Sequence, residues 1–148
     1  MIHEEAPKNF NPKFSAAGCF CEHDGKIVLL HRHENKPQGL KWGIPTGKIE
    51  SNETPEKAIL RELREETGIK LKKDEIRYFR KVYVRYPEYD FIYHIFHASL
   101  PEKADIKIRA SEHTDFKWIT PKEAINLQLV PDLYDCIRLF YSIKLFTI

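Results

Sequence analysis

The sequence predicts an α+β fold in which a mixed β-sheet is packed between helices. Strand-like runs lie on both sides of a single central helix, and an amphipathic helix follows them near the end of the chain. With 148 residues, of which 42% are apolar and 31% charged, the chain can bury about two thirds of its unfolded surface in one core. We therefore expect one globular domain over residues 1–148, with residues 1–13 as a poorly ordered or extended N-terminal arm.

The first two strands are predicted to form a β-hairpin. Residues 15–23 and 26–33 are rich in strand-forming side chains, and the Asp24-Gly25 pair between them is a strong signal for a two-residue turn. Residues 34–41 are polar and include a proline and a glycine, which predicts a loop.

A helix is predicted from about Pro55 to Thr67. Thr54 suits the N-cap because its side-chain oxygen can accept a hydrogen bond from a free backbone N–H. Pro55 suits the first helical position, where no backbone donor is needed. Gly68 can adopt the left-handed conformation that ends many helices.

More strands and helices follow this helix. β-rich runs at residues 75–86 and 90–100 are joined by a short connection, and residues 115–119 form another predicted strand. Thr120 begins a capping-box pattern with proline in the first turn, which predicts a short helix. Beyond Pro131, apolar residues recur at helical spacing and predict a final amphipathic helix. These apolar residues are Leu133, Cys136, Ile137 and Phe140.

The central helix carries three glutamates on one side. Glu62, Glu65 and Glu66 are spaced i, i+3 and i+4, so they fall within roughly 100° of arc beside the apolar side of the helix. Like charges at these spacings cost about 0.2–0.5 kcal/mol per pair unless something neutralises them. A solvated charged surface is the ordinary explanation for such a pattern. At the edge of a packed interface, however, carboxylates need a counter-charge, and a hard divalent cation supplies one.

Residues 47–69 resemble the Nudix box, G-x5-E-x7-R-E-U-x-E-E-x-G-U with U an aliphatic residue. Every position matches, and Leu63 and Ile69 fill the aliphatic positions. The resemblance implies a Nudix hydrolase with a Nudix-type α/β/α sandwich, which cleaves a diphosphate linked to another moiety with Mg2+ or Mn2+ as cofactor. Residues 42–47 and 112–124 extend the likeness more loosely.

The resemblance also implies roles for individual residues. Glu62 and Glu66 would be the principal metal ligands, and Glu65 would be a further ligand or would hold metal-bound water. The backbone carbonyl of Thr46 would be another ligand, although the family commonly has glycine at this position. The implied catalytic residues are Glu53, Arg61, Glu65, Glu66 and Glu112. Within this set, Glu53 and Arg61 would form an orienting pair; a structural ion pair is the alternative.

Glu112 is the candidate general base, because in many relatives a glutamate from a loop beyond the box approaches the metals; an ordinary loop acid is the alternative. Arg32, His33 and Lys48 are candidates for contacting substrate phosphates, and each is also credible as a solvated charge. Tyr86 could stack on a base, since aromatic faces contribute about 1–3 kcal/mol per stacked base. Aromatic residues at such positions more often simply pack the sheet, as do the neighbouring candidates Trp42, Tyr83 and Phe91.

Charge and composition limit the partners and the location. The formal charge of +2 comes from 24 basic and 22 acidic residues, so there is no bulk basic field of the kind that duplex nucleic acid selects. No stretch approaches 18 apolar residues, and the N-terminus does not resemble a signal peptide. We expect a cytoplasmic monomer or homodimer, without membrane contact, that acts on a small-molecule nucleotide or nucleoside diphosphate derivative. The three cysteines are expected to be reduced core residues.

The function predicted from the resemblance is metal-dependent cleavage of a diphosphate linkage in a nucleoside triphosphate or related nucleotide, with release of pyrophosphate or phosphate. Dinucleoside polyphosphates, nucleoside diphosphate sugars and capped RNA ends remain open as substrates. A non-catalytic nucleotide-binding regulator with the same fold is a second alternative. A zinc module is a third, because Cys19, Cys21, His23, His31 and His33 lie near one hairpin, although its predicted register separates the first three from the two later histidines.

Overall fold

The computed structural model describes residues 2–142, which contain eight strands and three α-helices. Strands β1 to β5 span Ile2–His3, Pro12–His23, Lys26–Arg32, Trp42–Gly43 and Thr46–Lys48. Strands β6 to β8 span Arg77–Arg85, Asp90–Ser99 and His113–Ile119. Helices α1 to α3 span Pro55–Thr67, Pro121–Ala124 and Leu133–Tyr141. Residues 1 and 143–148 of the expected domain lie outside the described part of the chain.

The strands form one mixed sheet, as the sequence predicted. Its order is β1-β6-β7-β2-β3-β4, with β5 paired to β2 and β8 paired to β3. The central strands β2 and β7 are parallel, and the other pairs are antiparallel. Since β2 pairs with three other strands, it is the element from which both sides of the sheet are built.

Helices cover both faces of this sheet, which confirms the α/β/α sandwich. Alternate residues of a strand point to opposite faces. Accordingly, Cys19 and Cys21 pack with Ile59 and Leu63 of α1, while Phe20, between the two cysteines, packs with α3 on the other face. None of the helices within residues 2–142 has the length and apolar character required to cross a bilayer.

The predicted caps of α1 are confirmed. The Thr54 hydroxyl accepts a hydrogen bond from the N–H of Lys57 at 3.2 Å. Gly68 has φ of 78°, and its N–H donates to the carbonyl of Arg64 at 3.1 Å. The predicted short helix is also present, since the Thr120 hydroxyl accepts from the N–H of Glu123 at 3.2 Å and α2 follows.

The hairpin is confirmed, with His23 opposite Lys26 and with Asp24 and Gly25 at φ of 51° and 77°. Some boundaries differ from the prediction. Strand β2 begins at Pro12, three residues early, and residues 73–75 form a short 3-10 helix ahead of β6. Strands β1, β4 and β5 were missed because two or three residues are too few for a periodic pattern.

Candidate active site

Helix α1 presents its glutamates along the edge of a packed face. Glu62 and Glu66 are 9% and 5% exposed, and they lie beside the fully buried Ile59 and Leu63. Glu65 differs from them, because its side chain is 38% exposed. The predicted acidic arc therefore does border the core, but only two of its three carboxylates are enclosed.

Gly47 allows the backbone of β5 to approach the Glu62 carboxylate. A Cβ atom at this position would lie 2.0 Å from Glu62 Cδ and 2.2 Å from its Oε1. No side chain can be accommodated there while Glu62 keeps its place. The glycine is thus required for close approach.

Thr46 fits its position without a glycine. It lies in strand β5 opposite Gly18 of β2, with a backbone outside the left-handed region. Its N–H donates to Glu66 Oε1 at 3.1 Å, and its hydroxyl donates to the carbonyl of Ile44 at 3.0 Å. The same hydroxyl is 2.9 Å from the hydroxyl of buried Tyr93. Threonine is therefore accommodated here, and it also fixes one oxygen of Glu66.

Arg61 connects the helix to the preceding loop and to β5. Its Nε and Nη2 donate to Glu53 at 2.7 and 3.0 Å, and Nη2 also donates to the carbonyl of Lys48 at 3.0 Å. Its Nη1 donates to Glu62 at 2.6 Å and to Glu65 at 3.3 Å. One guanidinium therefore positions Glu53, Glu62 and Glu65 together.

The carboxylates on α1 have perturbed acidities. The pKa of Glu66 lies well above its usual value because the carboxyl group is buried and because Glu62 is close; the Thr46 N–H opposes this shift. Burial also raises the pKa of Glu62 despite the hydrogen bond from Arg61. In contrast, that guanidinium lowers the pKa of Glu53. Two buried carboxylates thus lie together, Glu62 bonded to a guanidinium and Glu66 to a backbone N–H.

Glu112 and His113 reach the same place from the loop before β8. Metal-ligand atoms of Glu66, Glu112 and His113 all lie within 4.8 Å of one another, and within residues 2–142 this is the one group of three such side chains at that distance. Glu112 also lies 4.0 Å from the ammonium of Lys36. Sequence reasoning singled out Glu112, whereas it missed His113.

These groups line a cleft of about 530 Å3. Seven of the residues predicted for the site line it: Arg32, Thr46, Lys48, Glu62, Glu66, Tyr86 and Glu112. The other predicted residues, Glu53, Arg61, Glu65 and His33, are not among its lining residues. The Nδ1 atom of His33 instead accepts from the N–H of Asn35 at 3.3 Å.

Aromatic side chains and a buried acid form the other end of the cleft. Tyr86 is 8% exposed, and its hydroxyl donates to the carboxylate of Asp132, which is also buried. Phe14 and Tyr89 line the cleft nearby, and the ammonium of Lys48 lies 4.6 Å from the ring centre of Phe14. The role of Asp132 was not predicted, because nothing in the sequence indicates that it pairs with a residue 46 positions away.

The cysteines and histidines of the first hairpin have other partners. Cys19 and Cys21 are buried in the core under α1. His23 Nδ1 lies 3.0 Å from the carbonyl of Leu100, and His31 Nδ1 lies 3.2 Å from the hydroxyl of Thr114. In the described part of the chain these side chains belong to no group of three close metal ligands.

Comparisons with known proteins agree with this geometry. The family model of the NUDIX domain matches residues 12–140. CTP pyrophosphohydrolase of Escherichia coli strain K12 is 30% identical over 125 residues, which are 83% of this chain and 87% of that protein. The 8-oxo-dGTP diphosphatase of Proteus vulgaris is 46% identical over 54 residues, 36% of this chain and 48% of that protein. The crystal structure of a MutT protein from Methanosarcina mazei Go1 has a TM-score of 0.75 at 24% identity, covering 88% of this chain and 94% of that one. With a matching family model, a relative of this coverage and a shared fold, the chain belongs to the NUDIX family.

Proposed function

We propose that this protein hydrolyses a nucleoside triphosphate, in the presence of a divalent cation, to a nucleoside monophosphate and pyrophosphate. The observation that carries the proposal is the buried pair Glu62 and Glu66, held against β5 and open to a cleft that also contains cationic side chains. The similarity to a CTP pyrophosphohydrolase over most of both chains supports a nucleotide substrate. A substrate from the nucleotide pool also suits the cytoplasmic location expected from the sequence.

The residues at this place fit a divalent cation. Buried carboxylates without sufficient counter-charge are unfavourable, and oxygen donors are the ligands that Mg2+ prefers. Glu62 and Glu66 would hold the ion, together with the carbonyl of Thr46, and Glu65 would join them from the exposed side. When bound, the cation would withdraw charge from the phosphate oxygens and lower the barrier to attack by water. Mg2+ is the proposed cofactor, with Mn2+ as a substitute.

The chain's own residues would orient the reaction. Arg61 keeps Glu62 in place through its 2.6 Å hydrogen bond and is itself held by Glu53. Glu112, which is half-buried at the cleft, would accept the proton of the attacking water. The ammonium of Lys36 lies 4.0 Å from Glu112 and would help to hold this carboxylate at the cleft.

Cationic side chains along the cleft would bind the phosphate chain. Lys13, Arg32, Lys36 and Lys48 all line it. The Arg32 guanidinium is oriented by its Nε, which donates to the carbonyl of Pro37 at 2.7 Å. These four cationic side chains lie in the same cleft as the acidic residues and would bind the phosphate oxygens directly.

The nucleoside would lie at the aromatic end. Tyr86 offers little ring surface because it is buried and bonded to Asp132. The more accessible rings of Phe14 and Tyr89 are better placed to stack on a base. We therefore transfer the stacking role proposed for Tyr86 to these two rings.

One observation favours a second candidate, a dinucleoside polyphosphate hydrolase. A shallow depression of about 850 Å3 adjoins the cleft and shares Lys13, Tyr86 and Tyr89 with it. This extension offers room for a second nucleoside next to the aromatic end of the cleft. Nucleoside triphosphates remain our first proposal, because they require only the enclosed part of the cleft.

The test is turnover of a substrate panel with identification of the products. Purified protein with Mg2+ or Mn2+ is incubated with CTP, the other nucleoside triphosphates, their 8-oxo forms, ADP-ribose and a dinucleoside tetraphosphate. We expect monophosphate and pyrophosphate in equal amounts from a nucleoside triphosphate. If no nucleotide in the panel is cleaved, the protein is a binding module and the proposal fails.

Glu66→Gln is the decisive variant in the same assay. Loss of a carboxylate from the metal site should lower turnover by about 1,000-fold or more, while the fold is retained because the amide keeps the size and the hydrogen bond from Thr46. Glu56→Gln, at the first turn of the same helix, is the matched control and should remain within about twofold of wild type. Near-normal turnover of the folded Glu66→Gln variant would contradict the proposal.

A further inference from the structure

His113 is a buried side chain to which the proposed function gives no role. It is 4% exposed and lines the cleft. One of its ring nitrogens lies within 4.8 Å of carboxylate oxygens of Glu66 and Glu112. A nitrogen donor therefore lies beside two of the oxygen donors considered above.

A sharp turn leads into β8 at Glu112 and His113, and an irregularity in the sheet follows directly after them. Adjacent residues of a regular strand point to opposite faces. At the start of β8, however, His113 pairs with Arg32 whereas Asp115 pairs with His31, so one residue is extra. The N–H groups of Glu112 and His113 both donate to the carbonyl of Arg109 at 2.9 Å, which turns the chain sharply there. Such bulges are known to redirect side chains beside active sites.

The His113 ring has an unused nitrogen. Its Nδ1 atom is shielded from solvent and has no hydrogen-bond partner among the described residues. A neutral imidazole ring has one nitrogen with a free lone pair that can bind a cation. Buried polar atoms are nearly always paired, so an unpaired nitrogen on a ring that lies beside two carboxylates needs an explanation.

We propose that Glu66, Glu112 and His113 form a mixed oxygen–nitrogen cation site that prefers Mn2+ or Co2+ to Mg2+. Two ligands of an octahedral ion at about 2.1 Å are about 3 to 4.2 Å apart, so small rotations bring the three donors into range. Imidazole nitrogen suits transition metals, whereas Mg2+ is bound by oxygen. His113 would then set the metal preference of the protein. The inference shares Glu66 and Glu112 with the proposed function but does not depend on which nucleotide is cleaved.

The geometry leaves Glu66 able to serve both sites. Only one of its oxygens, Oε1, accepts the hydrogen bond from Thr46. Glu66 would therefore keep an oxygen with which to hold a cation together with Glu112 and His113.

The experiment is pulsed electron paramagnetic resonance on the protein with one equivalent of Mn2+. We expect modulation from a directly coordinated 14N nucleus, which changes to the 15N pattern when the histidines are labelled with 15N. His113→Gln should abolish the modulation. His94→Gln should retain it, because His94 lies on strand β7 and is hydrogen-bonded to Tyr78 at 2.9 Å, away from the cleft. Bound Mn2+ without nitrogen coupling in the wild type, or coupling that persists in folded His113→Gln, would overturn the inference.

Metal affinity gives a second measurement. The dissociation constants for Mn2+ and Co2+ should rise by at least about tenfold in His113→Gln, with a change of less than about threefold for Mg2+. Equal losses for all three ions would contradict a nitrogen ligand. If His113→Gln does not fold, the labelled wild type still decides. Because the spectrum does not require turnover, failure of this inference is distinguishable from failure of the proposed hydrolysis.

Discussion

Replacing Gly47 with alanine is the sharpest perturbation that the structure offers. The added Cβ would lie 2.0 Å from Glu62 Cδ, whereas ordinary contacts begin near 3.4 Å, so the carboxylate must retreat by about 1.4 Å. The displaced atoms are the end of a flexible side chain, and the backbone of β5 can stay in place. The substitution therefore moves one proposed metal ligand and leaves the rest of the site intact.

The size of the effect follows from this displacement. A misplacement of about 1 Å in a catalytic arrangement can lower the rate about 100-fold, so we expect kcat/KM of Gly47→Ala to fall by at least about 100-fold, or about 2.7 kcal/mol. Stability should fall as well, because the substitution disturbs the hydrogen bond of 2.6 Å between Arg61 and Glu62. Hydrogen bonds to charged groups contribute about 1.5–3 kcal/mol.

The assay is pyrophosphate release under the best conditions found with the substrate panel, together with urea unfolding. Gly43→Ala is the matched control, because its added Cβ would meet only methyl carbons of Val130 at 3.6 Å. We expect the control to remain within about threefold of wild type. If folded Gly47→Ala has the same kcat/KM as that control, the Glu62 carboxylate does not take part in the reaction.

Three further predictions concern single side chains. Arg61→Lys should lose about 2 kcal/mol of stability and most of the activity, because one ammonium cannot replace the paired hydrogen bonds to Glu53. Urea unfolding measures the loss of stability, and an unchanged free energy of unfolding would contradict the prediction. Tyr86→Phe should lower the free energy of unfolding by about 1–3 kcal/mol, because it removes the hydroxyl that donates to the buried Asp132 carboxylate. A thermal unfolding transition at the wild-type temperature would refute the Tyr86–Asp132 hydrogen bond. Below pH 6.5 the unfolded state takes up a proton at His113 before the folded state does, so stability should fall by up to about 3 kcal/mol as the pH drops from 6.5 to 4. Urea unfolding of wild type and His113→Gln at a series of pH values tests this, and a constant difference between them would contradict it.

Much of helix α1 was predictable from the sequence because its signals are local. The cap at Thr54, the end at Gly68 and the burial of Glu62 and Glu66 depend on spacings within a few helical turns. The first hairpin was predictable for the same reason, since two adjacent residues set its turn. Local chemistry was thus sufficient for the elements that carry the proposed metal ligands.

The rest of the site depends on contacts between distant parts of the chain. Nothing near Tyr86 indicates that its hydroxyl meets Asp132 or that the residue is buried. Likewise, His113 reaches the cleft through a bulge whose register is set by pairing with β3. Two-residue strands such as β4 also depend on neighbours, because so short a segment has no pattern of its own.

The most direct test of the central claim is the position of the cation itself. Crystals grown with Mn2+ and a non-hydrolysable nucleoside triphosphate analogue can be measured at the manganese absorption edge. We expect an anomalous peak in the cleft at about 2.1–2.3 Å from carboxylate oxygens of Glu62 and Glu66, next to the phosphate chain. If the nucleotide is bound and no anomalous peak lies beside Glu62 and Glu66, the result contradicts the account.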